Sequence, residues 1–164
     1  MFVNKVKNSG ILPLDLIDFR TDLEIVSFDI KNLLFQGLIV KEKEFKAALA
    51  AVDMANFAGK AVAFTCSTDA IIPSWIYLSL ADKFHKAVAY YDFKTVELLR
   101  LDLWKKQILA ADFSSYKDQK VVIRARSDIP ESLYLLAAGR LIPIVKALMY
   151  GEVGMPKVIF KRID

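Results

Sequence analysis

Lys60-Ala-Val-Ala-Phe-Thr-Cys-Ser-Thr-Asp-Ala-Ile-Ile-Pro-Ser-Trp-Ile-Tyr-Leu-Ser-Leu-Ala81 decides the fold class. Ala61 to Thr65 is an unbroken run of apolar, aromatic and β-branched residues, the pattern of a strand buried on both faces of a parallel sheet. Cys66-Ser67-Thr68-Asp69 then interrupts it with four short polar side chains. Pro73 opens an apolar segment of helical period, at the usual place for proline in a first turn. Strand, polar loop and helix start form the corner at which α/β proteins build their sites.

Outward from this corner the chain alternates between the two periods. Strands are predicted near 24–29, 60–66, 87–91, 120–125 and 157–161, and helices over 41–53, 73–86, 95–111 and from Pro130 to about Met149. Pro143 should kink or divide the last helix, because it lacks an amide hydrogen and crowds the preceding turn. The expected architecture is α/β: a single three-layer domain with a mostly parallel or mixed five-stranded sheet and helices on both faces. Residues 1–23 read as an N-terminal arm with one short element, and 24–164 as the domain. The corner also has an internal echo. Lys60-Ala-Val-Ala-Phe, Ile72-Pro73 and Tyr77-Leu78 resemble Lys120-Val-Val-Ile-Arg, Ile129-Pro130 and Tyr134-Leu135.

Composition sets the outer bounds. The 164 residues are enough for a real core, and 55% are hydrophobic. No run reaches the roughly 18 apolar residues of a membrane helix, and the opening residues lack a signal-peptide core. The apolar excess is assigned to buried strands and a homodimer interface. One cysteine excludes an internal disulfide, so a cytoplasmic location is expected. The net charge of +4 is dispersed, with no basic stripe among exposed aromatics, which argues against nucleic acid as a partner.

Candidate chemistry gathers where polar residues follow strands. Cys66 at a helix start could be a nucleophile, a redox centre or only a small buried hydrophobe. Ser67, Thr68 and Asp69 could meet a ligand, as could Ser127, Asp128 and Glu152 if their loops share one rim. Capping and turning the chain is the commoner work of such residues. Two proline-started helices facing that rim would favour a small anionic ligand. His85, the only histidine, stands at the far end of its helix and is read as exposed rather than as a partner of Cys66. No phosphate-binding, dinucleotide or G-x-S-x-G motif is present, so no cofactor is assigned.

Phe28-Asp-Ile-Lys-Asn-Leu-Leu-Phe-Gln-Gly37, Thr65-Cys-Ser-Thr-Asp-Ala-Ile-Ile-Pro73, Leu148-Met-Tyr-Gly-Glu152 and Phe160-Lys-Arg162 resemble the bacterial domain of unknown function 2480 family over nearly the whole chain. The resemblance implies no known chemistry. It carries an association with iron–sulfur cluster assembly genes, and hence an accessory or binding role around iron–sulfur or sulfur handling. Relatives often carry further cysteines where this chain has Arg126-Ser127 and Gly154. Cys66 alone among oxygen donors is a poor zinc or iron–sulfur site, so no metal is expected. The alternative is a small thiol- or carboxylate-dependent enzyme acting on a small anionic molecule.

Overall fold

The computed structural model describes residues 9–163. Its elements, in chain order, are β1 (Ile11–Leu14), β2 (Ile25–Asp29), α1 (Glu42–Ala50), β3 (Ala61–Thr65), α2 (Trp75–Phe84), β4 (Tyr90–Phe93), α3 (Val96–Ala110), β5 (Lys120–Arg124), α4 (Glu131–Leu141), β6 (Ala147–Glu152) and β7 (Met155–Lys161). The α/β class holds, but the expected five-stranded sheet is replaced by two sheets. One is parallel, in the order β2-β3-β4; the other is mixed, in the order β1-β5-β6-β7. The chain divides into two compact units. Asp22–Arg100 forms one, and residues 9–21 together with residues 101–163 form the other.

The central unit, Asp22–Arg100, is built on β3, whose residues Ala61 to Phe64 are all buried. Phe45 and Leu49 of α1 and Ile76, Leu80 and Phe84 of α2 pack with Val62 and Phe64 into its core. The spacing of four between Ile76, Leu80 and Phe84 puts one apolar stripe of α2 onto the sheet. α2 begins two residues after Pro73, with Ser74 at its N-cap.

The other unit contains two strands that periodicity did not reveal. β1 is the short element of the first 23 residues, paired in parallel with β5. β6 lies where the sequence suggested the end of a long helix. α4 stops at Leu141 and does not restart, because Pro143 offers no amide hydrogen and its ring crowds the Gly139 carbonyl. Ala147–Glu152 then pairs in parallel with β5, and β7 folds back antiparallel on β6. Leu133, Ala137 and Leu141 of α4 pack with Val121, Ile123, Leu148, Trp104 and Ile108. Arg140 donates to the Ile108 and Ala111 carbonyls at the end of α3, at 2.5 and 2.7 Å, satisfying acceptors that a helix end leaves open.

The two units repeat one another in detail. Phe28 pairs with Phe64 and Phe64 with Phe93, while Leu14 pairs with Ile123 and Ile123 with Tyr150. Gly59 and Asp118 both have positive φ, and both donate 2.8 Å hydrogen bonds, to the Ala87 and Ile144 carbonyls respectively. The C-cap residues that follow α2 and α4, His85 and Ile142, share φ and ψ of −51° and −42°. The echo in the sequence is therefore structural, with its strand alignment moved by one residue: Phe64 corresponds to Ile123, not to Arg124. A one-residue slip exchanges the two faces of a strand, so the move matters.

Candidate functional site

The loop after β3 is held from the neighbouring strand. Asp29 ends β2, and its Oδ1 accepts from the Lys31 amide at 3.0 Å, which starts a short 3₁₀ turn. The same carboxylate accepts from Ser67, through the amide at 3.1 Å and through the Oγ hydroxyl at 2.5 Å. The Ser67 bond is the main cause of a lowered Asp29 pKa, opposed by partial burial. Cys66 is half-buried, and its Sγ donates to the Thr68 carbonyl at 3.6 Å. Asp69 is exposed at the edge of a cleft of about 420 Å³ that also contains Leu38, Ile39 and Ile71. The capping reading is corrected here, since α2 has no side-chain cap at its N-terminus. Ser67 uses its hydroxyl on Asp29 instead.

Ser127 and Asp128 follow β5 of the other sheet, and Glu152 is the last residue of β6. The shared-sheet ground for grouping them with Cys66 therefore falls away. Their own rim is organised by Asp15, the counterpart of Asp29 at the end of β1. Asp15 accepts from the Ile17 amide at 3.2 Å, as Asp29 does from Lys31. Where the central unit supplies Ser67, this unit supplies Arg126, whose Nε and Nη2 donate to the two Asp15 oxygens at 2.8 and 2.5 Å. Arg124 lies 3.5 Å from Asp15 and 3.9 Å from Glu152. Asp128 adds negative potential near Arg126 and Tyr134, while Ser127 stays exposed. No side chain caps α4. The Tyr134 hydroxyl donates to the Arg126 carbonyl at 3.0 Å and accepts from the Arg126 amide at 3.3 Å.

Sequence reasoning missed Asp15, Asp29, Arg124 and Arg126. The available signal was the pair Leu14-Asp15-Leu16 and Phe28-Asp29-Ile30, an acid between apolar residues at the end of each first strand. His85 is exposed as expected, with Nδ1 3.0 Å from the Tyr91 hydroxyl.

Asp15 should give a measurable acid limb. The Arg126 hydrogen bond, ahead of opposing desolvation, holds its carboxyl below the ordinary range. A depressed folded-state pKa contributes stability above the unfolded value of about 4, which is lost as pH falls through the folded value. Melting temperatures from pH 2 to 6 should therefore fall less steeply on acidification for Asp15→Asn than for the wild type. Identical acid limbs would show that the clamp contributes nothing.

The family model described as Protein of unknown function (DUF2480) matches residues 1–162. The chain belongs to this family. Comparison with curated proteins found no match, and comparison with solved structures found none either. Two of the motifs quoted for DUF2480 fall on the corner built by Asp29 and Ser67, namely residues 28–37 and 65–73. Among the described residues, this DUF2480 member has no group of three or more His, Cys, Asp or Glu side chains placed to hold a metal ion. No helix among them is long and apolar enough to cross a membrane.

Proposed function

We propose that this DUF2480 protein is a cytoplasmic accessory or binding protein whose partner site is the corner around Cys66, with a role near iron–sulfur or sulfur handling. The observation that carries the binding part is the side-chain set beside the loop. Ile71 is 91% exposed, and Leu38 and Ile39 are also exposed, in one cleft with Asp69. Exposed apolar groups gathered beside a fixed polar loop are a usual mark of a contact surface. A small anion is less well supported at Ser67, because Asp29 already takes both of its donors. The enzyme alternative lacks a base on the thiol, whose hydrogen bond goes to a carbonyl.

The partner proposed first is a second copy of the chain. Light scattering at micromolar concentration should give twice the chain mass of 18.5 kDa. Ile71→Asp should return the protein to monomer with an unchanged circular dichroism spectrum. A monomeric wild type would remove the second-copy reading. Rapid, selective alkylation of Cys66 below neutral pH, where an ordinary thiol is protonated, would favour the enzyme instead.

A further inference from the structure

We infer that the unit containing β5 and α4 has a binding site for a neutral, flat, mostly apolar small molecule, the size of one or two aromatic rings. It lies in the cleft of about 340 Å³ between α4 and the β6–β7 hairpin, within the range of small-molecule pockets. Ile123 and Leu148 form the floor, Tyr134 and Tyr150 one end, and Leu135 and Ile159 the mouth. Among the described residues, no charged side chain lines it. Leu135 is 76% exposed and Ile159 55%, so the mouth is open.

The internal repeat says what fits there. The same place in the central unit is a cleft of about 240 Å³ lined by Phe64, Tyr77, Tyr91 and Phe93. Strand register equates Phe64 with Ile123, Tyr91 with Leu148 and Phe93 with Tyr150. The helix tyrosine is kept in both: Tyr77 packs edge-on against Phe93 with centroids 5.3 Å apart, and Tyr134 against Tyr150 at 5.8 Å. Two aromatic rings in one unit are thus replaced by aliphatic side chains in the other, where the cleft is larger, about 340 Å³ against 240 Å³. An aromatic guest would take their place, edge-on to the retained tyrosines.

The hairpin supplies an independent observation. The β6–β7 register breaks between Leu148 and Met149, whose partners are Phe160 and Val158. Ile159 is left unpaired between them and lines the cleft. A bulge that re-aims a side chain is a common device beside binding sites. Here it turns Ile159 into a wall that the central unit lacks.

The test uses the whole protein and indole as the probe, followed by saturation-transfer and amide-shift NMR. Saturable binding is expected, with shifts at Tyr134, Leu135, Tyr150 and Ile159. Leu148→Tyr, which restores the central unit's residue, should weaken indole by about tenfold or more. If that variant fails to fold, Ile159→Gln at the exposed mouth decides, and it should weaken binding in the same direction. Benzoate, flat but charged, should bind less well than indole. Absence of saturable binding, binding unchanged in the folded variants, or a preference for benzoate would each overturn the inference. So would amide shifts at these residues that follow protein concentration without ligand, since a second copy would then cover the cleft.

Discussion

Phe84→Ala is expected to destabilise the protein by about 3–5 kcal/mol, the usual cost of truncating a fully buried phenylalanine. The residue is 0% exposed and ends α2. Its ring meets Phe64, Phe57 and Phe28 edge-on, with centroids 4.9, 5.2 and 5.4 Å away. Such pairs add roughly 0.5–1.5 kcal/mol each beyond area burial. The site is also poorly able to collapse. The Phe84 carbonyl accepts from the Ala87 and Val88 amides, which fixes the turn that feeds β4. Leu141 holds the equivalent position at the end of α4 and is also fully buried, but an aliphatic side chain has no ring pairs to lose, so Leu141→Ala should cost less, about 2–4 kcal/mol. Urea unfolding of both variants checks the order. A loss for Phe84→Ala of under about 1 kcal/mol would mean that the aromatic cluster repacks around the gap.

The legible part of the fold was the part with an unambiguous local period. β3 and β5 are buried apolar runs and β2 is a half-buried one. The helical period of α1, α2 and α3 was visible in the same way, but not always the buried face, since Leu78 and Leu98 are exposed. β6 was hidden by its own composition. Ala147-Leu-Met in its first half are good helix formers, and they continue an apolar pattern that α4 had begun. Pro143 marked the break, but not that a strand would follow it. Strand pairing was less accessible still. Nothing in a local window says that β1 pairs with β5 across more than a hundred residues while β2 pairs with β3, and this choice makes two sheets rather than one. The candidate corner was found because polar residues after a strand are a local signal. Its organiser, Asp29, was not, because the bond to Ser67 crosses between strands.

Trp104→Ala should produce a loss of similar size in the other unit, and Trp104→Phe should separate its two causes. Trp104 is 5% exposed, and its indole N–H donates to the Leu16 carbonyl at 2.7 Å. Leu16 follows Asp15 and opens the 3₁₀ turn after β1. The indole therefore ties α3 to the segment whose carboxylate clamps Arg126. Truncation to alanine removes the whole ring at a cost of about 3–5 kcal/mol. Phenylalanine keeps most of the apolar surface but offers no donor, leaving a buried carbonyl short of its partner at about 1–3 kcal/mol. The side effects should differ as well. If the indole bond fixes the turn, Trp104→Phe should flatten the acid limb assigned to Asp15, because the carboxylate would no longer be held against Arg126. A Trp104→Phe variant within about 0.5 kcal/mol of the wild type, with an unchanged acid limb, would reduce Trp104 to a packing residue and leave the end of β1 held by its pairing with β5 and by the Asp15–Arg126 clamp.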